Sequence, residues 1–281
     1  MLTGTFTPSA KAAELSSAEH FNSPSTPVLV RFSNSTGLPT ISDTDENADP
    51  RGIAIRFNLK EVNGRRQHTD VIAHSTPTFP TRTGAEFLEM LRALATSGPD
   101  VPSPKPIEKF LGANPKALVH VQWPKPPPLS FGTEQYWSVN AFKLIDGSEK
   151  VTFIRYHIVP TAGVTTLDAA TFAAQTTSYL RDELTARIAK GPIGFKILAQ
   201  VAIEGDVTDD ATIHWADSNP VVELGTINLD SLKTEEETLE IQKTAIFDPV
   251  PRIKGLAPSD DPLLEMRAAL YLISGKQRRA A

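Results

Sequence analysis

The 281-residue chain has no cysteine. Disulfides, thiolate nucleophiles, iron–sulfur clusters and cysteine-ligated metals are therefore excluded. No apolar run approaches the ~20 residues that cross a bilayer. The opening MLTGTFTPSAKAAEL has no basic stretch followed by an apolar one, so neither a membrane span nor a secretory leader is expected. The ending KQRRAA is not an SKL-type signal, and the cytoplasm is the expected compartment. A field of one sign is missing too. Lys+Arg at 28 against Asp+Glu at 33 give a net charge of -5, so neither nucleic acid nor an anionic membrane is an expected partner. The glycine-rich phosphate loops of nucleotide sites and the G-x-S-x-G elbow of serine hydrolases do not occur. Six histidines, His20, His68, His74, His120, His157 and His214, form neither H-E-x-x-H nor a His-x-His pair, and no zinc site is expected.

Apolar periodicity is present in quantity. PVLVRFSN (27–34) alternates, with Val28, Val30 and Phe32 on one face and Leu29, Arg31 and Ser33 on the other. GIAIRFNL (52–59) and TDVIAHS (69–75) read as further strands around the turn NGRR. Two longer strands, 135–146 and 150–160, flank the hairpin signal GSE, and 195–205 reads as another. TGAEFLEMLRALATSG (83–98) is a helix capped by Thr83, with Phe87, Met90, Leu91 and Leu94 as its apolar stripe. A shorter helix is expected at 106–112 and a long amphipathic one at 167–191, closed by glycine. The acidic run DTDENAD (43–49) lacks calcium-loop spacing and reads as solvated. No linker or internal repeat divides 1–281, so one domain is expected. Strands preceding mixed helices argue for α+β.

The last helix, DPLLEMRAALYLIS (261–274), puts Arg267 and Tyr271 one turn apart, with Arg278 two turns beyond on nearly the same face. A guanidinium beside a phenol favours the ionised phenolate, a hard oxygen donor suited to ferric iron. A core tyrosine flanked by solvated arginines accounts for the same residues. Arg31 and Ser33 on one strand face suit an anion clamp, or simply an exposed face.

The order of these segments is more specific than any one of them. VRFSNSTG, DPRGIAIRF, TDVIAHSTPTF and FDPVPRIKGLAPSDDPLLEMRAALY, in this order, resemble the core of the haem catalases, most of all the small catalase-related peroxidases. The resemblance runs from about Gly4 to Arg278. It implies an antiparallel β-barrel with flanking helices and a C-terminal helix whose Tyr271 ligates haem iron, Arg267 keeping that oxygen ionised. It implies Arg31 and Arg278 as propionate partners, Phe87 against the haem face, and Ser33 as support for a distal histidine. The implied partners are a small peroxide and an electron donor, in a homodimer or other small homo-oligomer.

Two departures from the family pattern are expected to matter. The segment R-x-x-H-A-x-G, which carries the distal histidine upstream of GTFTPSA, has no counterpart here. Ser75 falls where large catalases have the distal asparagine, and alternation from it places His74 on the other face of the strand. A haem peroxidase with weak catalase activity is the expected function. A haem-binding protein without chemistry, and a relative that rearranges fatty-acid hydroperoxides, are the alternatives.

Overall fold

The computed structural model describes residues 1–34, 38 and 40–280. Ten strands carry the fold: β1 (Leu2–Pro8), β2 (Thr26–Asn34), β3 (Arg51–Val62), β4 (Arg65–His74), β5 (Tyr136–Trp137), β6 (Phe142–Ile145), β7 (Val151–Pro160), β8 (Ile193–Val201), β9 (Val221–Leu232) and β10 (Leu256–Pro258). Neighbours run β10-β6-β7-β5-β4-β3-β2-β1-β9-β8, and β8 pairs back onto β7. That last pairing closes eight antiparallel strands into a barrel, with β6 and β10 extending outward from β7. The α-helices are α1 (Ala10–Leu15), α2 (Glu19–Asn22), α3 (Gly84–Ala95), α4 (Pro106–Ala113), α5 (Pro115–Gln122), α6 (Ala169–Ala173), α7 (Tyr179–Ile188), α8 (Glu235–Thr244) and α9 (Pro262–Ala280). Among the described residues no helix is long and apolar enough to cross a membrane. The expected α+β barrel with flanking helices is the observed architecture.

Alternation fills the barrel. Val28, Val30, Ile53, Ile55 and Phe57 turn inward and meet Ile154, Ile158, Phe195 and Ile227, all essentially without exposed surface. The other face of β2, β3 and β4 is left for the helices. The strands that close the barrel, β1 and β9, are not expected from the sequence. In β9 the consecutive residues Leu224 and Gly225 are both buried, which breaks the period-two signal. The pair packs through glycine. A methyl on Gly4 would lie 2.0 Å from the Asn228 carbonyl, and one on Gly225, whose φ is +152°, would lie 2.4 Å from the Thr7 carbonyl.

Three expected elements are corrected. The strand at 135–146 is two strands, because Ser138 leaves the ladder. Its hydroxyl accepts the Tyr156 N–H at 2.8 Å, and the chain bends outward through Ser138–Ala141 before β6 resumes. The helix at 167–191 is also two. The restart at α7 is fixed by Asp43, whose carboxylate accepts the Leu180 N–H at 2.9 Å. The acidic run is therefore not simply solvated: Asp43 is buried and also accepts from Asn34 at 2.8 Å, while Asp49 pairs with the buried Arg51 at 3.2 Å. Thr83 caps α3 in a capping box as expected, yet Leu91 and Leu94 of its stripe stay exposed.

His20 is buried at one end of the barrel, with ring centroids 4.0 Å from Phe21 and 4.6 Å from Phe57, and its Nδ1 has no partner. Burial pushes its pKa down to about 3. Its folded pKa lies below its unfolded value, so this neutral ring stabilises fully above about pH 6.5 and the contribution falls as pH drops toward 3. Replacing His20 with Phe is expected to leave the unfolding free energy at pH 7.5 nearly unchanged. It should flatten the acid limb between pH 6 and 4 by up to one proton, about 1.4 kcal/mol per pH unit. Urea unfolding at stepped pH measures both.

Candidate active site

Helix α9 runs unbroken through Arg278, so Arg267, Tyr271, Ser274 and Arg278 fall along one face. Arg267 Nε donates to the Tyr271 hydroxyl oxygen at 3.2 Å. A long arginine does not hold such a position unaided. Its Nη1 donates to the Asn140 side-chain oxygen, and the Asn140 amide nitrogen donates to Asp261 at 2.8 Å. Asp261 accepts the Leu263 N–H at 2.9 Å, fixing the first turn of α9. Asn140 and Asp261 are both buried. The bend between β5 and β6 thus delivers an amide that joins the start of α9 to its middle.

The outer face of the barrel lies opposite. Registered neighbours on adjacent strands share a face. Arg31, Ala54 and Ile72 form one such row across β2, β3 and β4, and Ser33, Gly52 and His74 form the next. The middle strand contributes only a methyl and a hydrogen, so the two rows make a trough walled by longer side chains. Arg31, Ser33, Ile72 and Tyr271 all line a cavity of about 800 Å³ between barrel and helices. Phe32, Phe131, Leu184, Ile246 and Phe247 give it apolar walls.

Cations gather at this cavity. Arg31 packs over the Phe247 ring, 5.6 Å from its centroid, and Arg56 approaches the same ring at 5.0 Å. Arg31 is open, but onto the cavity, with protein around the rest of it. Burial lowers its pKa from the ordinary value, Tyr271 opposes that, and the like charge of Arg278 adds to it. The three residues therefore feel one another across the cavity. Arg278 is braced by the Gln242 and Ala245 carbonyls at 2.8 and 3.0 Å and by the Ser274 hydroxyl at 2.7 Å.

The catalase family profile matches residues 2–281. The chain belongs to the catalase family. It is 33% identical over 278 residues to a catalase-related peroxidase of Mycolicibacterium paratuberculosis, covering 98% of this chain and 85% of that one. A catalase-related peroxidase of Synechococcus elongatus is 28% identical, with coverages of 98% and 80%. A fungal catalase superposes with a TM-score of 0.84 at 21% identity, over 99% of this chain. The chain spans 57% of that larger catalase.

Catalases are typically haem proteins, and the residues present fit that group. A phenolic oxygen on the wall suits iron, two guanidiniums suit two carboxylates, and the apolar walls suit a flat ring. Of the residues expected at the site, Arg31, Ser33, Tyr271 and Arg278 line the cavity, and Arg267 reaches it through Tyr271. Phe87 sits behind Phe79, their rings 5.1 Å apart. Ser75 is placed differently from its expected catalytic position. It follows the end of β4, where its hydroxyl accepts the Arg51 N–H at 2.9 Å and its own N–H returns to the Arg51 carbonyl. His74 is the residue that shares a face with Ile72, contrary to the alternation expected from Ser75.

Asn140, Asp261 and Phe247 are site residues that sequence reasoning passed over. Only Asp261, six residues ahead of Arg267 at a helix start, carried a local signal. Asn140→Ala is expected to cost about 1–3 kcal/mol of unfolding free energy, because it leaves a buried carboxylate and a guanidinium short of partners. Chemical denaturation compared with Ser138→Ala, which removes a hydroxyl from the same bend, measures it.

Proposed function

We propose that the protein is a haem peroxidase of the catalase-related class, taking a small peroxide as oxidant and an organic donor as reductant. The observation that carries this reading is the Tyr271 oxygen on the cavity wall with Arg267 Nε donating to it at 3.2 Å. Tyrosine ligation of haem iron is established chemistry in catalases. When bound, haem supplies a redox-active iron that a peroxide oxidises and a donor reduces.

The chain's own residues prepare the site for it. Tyr271 offers an oxygen ligand, and Arg267, held from behind by Asn140, donates to that oxygen and fixes its direction. Arg31 and Arg278 offer positive charge to carboxylates at one end of the cavity. Arg278 enters that role already fixed by two backbone carbonyls, which reduces the ordering cost of binding. Phe32, Phe131 and Phe247 line the cavity and would exclude water from a group bound there, which would strengthen every charge interaction inside.

Tyr271→Phe is expected to lose most of the haem taken up by the parent, along with the charge-transfer bands of phenolate ligation and hydroperoxide-driven dye oxidation. Arg267→Leu removes a partner of the ligand rather than the ligand, so affinity for haem should fall about 10–100-fold. Haem titration followed in the Soret band reads both. Parent-like haem content in Tyr271→Phe contradicts the assignment. Full haem uptake by the parent without dye oxidation favours a haem-binding role without peroxidase chemistry.

A further inference from the structure

Among the described residues one ring nitrogen at the cavity is left over. His74 ends β4 in the row Ser33–Gly52–His74, one row from Arg31–Ala54–Ile72. Ser33 and Ile72, its neighbours across and along the strand, both line the cavity. Gly52 between Ser33 and His74 puts no side chain in the way. His74 stands next to these lining residues and is itself half-buried.

Nδ1 lies 2.9 Å from the Thr76 hydroxyl oxygen. With the hydroxyl proton turned to the Thr78 carbonyl at 3.4 Å, that oxygen accepts the Nδ1–H, in the tautomer that leaves Nε2 unprotonated. The lone pair of the imidazole is then on Nε2, which makes no hydrogen bond to any described residue. Burial, with His120 and Arg267 adding, lowers the pKa of the ring to about 3, which keeps that lone pair free at neutral pH. Ser75 is no equivalent, since a hydroxyl is a far weaker proton acceptor than an imidazole nitrogen and one of its lone pairs already takes the Arg51 N–H.

We propose that Nε2 of His74 is the proton acceptor the protein presents to a small protic ligand in the haem cavity, a peroxide in turnover and hydrogen cyanide as a probe. This rests on the haem reading above. For hydrogen cyanide the H–C bond breaks, the carbon lone pair goes to ferric iron, and the proton goes to Nε2 and then to water. Carbon monoxide binds ferrous iron with no proton to place, so it reports access alone.

The test uses the haem-loaded parent with His74→Leu and His74→Gln. Cyanide association should fall about 10²-fold or more in both variants, the scale of general acid–base assistance, because neither side chain takes up a proton. Haem content and carbon monoxide association should match the parent. Unchanged cyanide rates overturn the proposal. So does a parallel loss of cyanide and carbon monoxide binding, which reports a closed cavity, or loss of haem in both variants, which reports a structural role. A parent that takes up no haem overturns the proposed function and this inference with it. A loaded parent indifferent to His74 overturns this inference alone.

Discussion

The Arg267 guanidinium is the member on which the site depends. It bridges a tyrosine oxygen on its own helix and an amide on the barrel, so the orientation of α9 and the direction of Tyr271 are set together. Helix spacing alone brings the two side chains within reach but leaves an arginine many rotamers. Asn140 removes that freedom because both ends of its amide are engaged, the oxygen by Arg267 and the nitrogen by Asp261. Asp261 in turn sits where the backbone N–H groups of α9 need an acceptor. Burial raises its pKa, and the Leu263 N–H, Asn140 and Arg155 pull it back. The charge is thus compensated from both the helix and the barrel.

This bridge explains why the sheet is interrupted where it is. A continuous strand across 135–146 would alternate Asn140 in register and keep its backbone in the ladder. By leaving the ladder at Ser138 the chain projects Asn140 toward α9, while the Ser138 hydroxyl satisfies the Tyr156 N–H that the break would strand. The barrel shows the complementary device on its other side. Inside, large apolar residues are packed without gaps; outside, Gly52 and Ala54 of β3 are the smallest side chains available, set between Arg31 and Ile72 and between Ser33 and His74. The strand is therefore bulky on its inner face and small on its outer face at Gly52 and Ala54, until Arg56 turns outward to Phe247.

Legibility in the sequence follows the range of the interactions. The alternation of the barrel strands β2, β3, β4 and β7, the capping box of α3 and the Arg267–Tyr271 spacing are patterns within a few residues, and all could be read. Asn140 and Asp261 are 121 residues apart and meet only through the closed fold. Strands β1 and β9 were hidden because their close approach needs Gly4 and Gly225, residues that weaken a strand signal. The break between α6 and α7 was hidden because its cause, Asp43, lies far upstream in what reads as a solvated loop. The misplacement of Ser75 has a simpler origin. Alternation assigns faces only within a strand, and β4 ends one residue earlier, at His74.

The charge pattern makes the last connection between fold and chemistry. A net charge of -5 hides a cavity whose fixed charges are mostly positive: Arg31, Arg181, Lys233 and Arg278 line it against Glu235, which pairs with Arg181, while Lys233 pairs with Glu237. Those rim pairs are exposed and worth little each. Arg31 is different. It opens onto the cavity, desolvation and the like charge of Arg278 lower its pKa, and the aromatic ring of Phe247 lies against it. Like charges held together in a low-dielectric enclosure favour an anion that relieves both. Two guanidiniums braced from behind and an oxygen ligand aligned by a third form a cavity that is electrostatically incomplete by itself. A planar dianion with a metal at its centre would complete it, with its carboxylates toward Arg31 and Arg278 and its metal toward Tyr271.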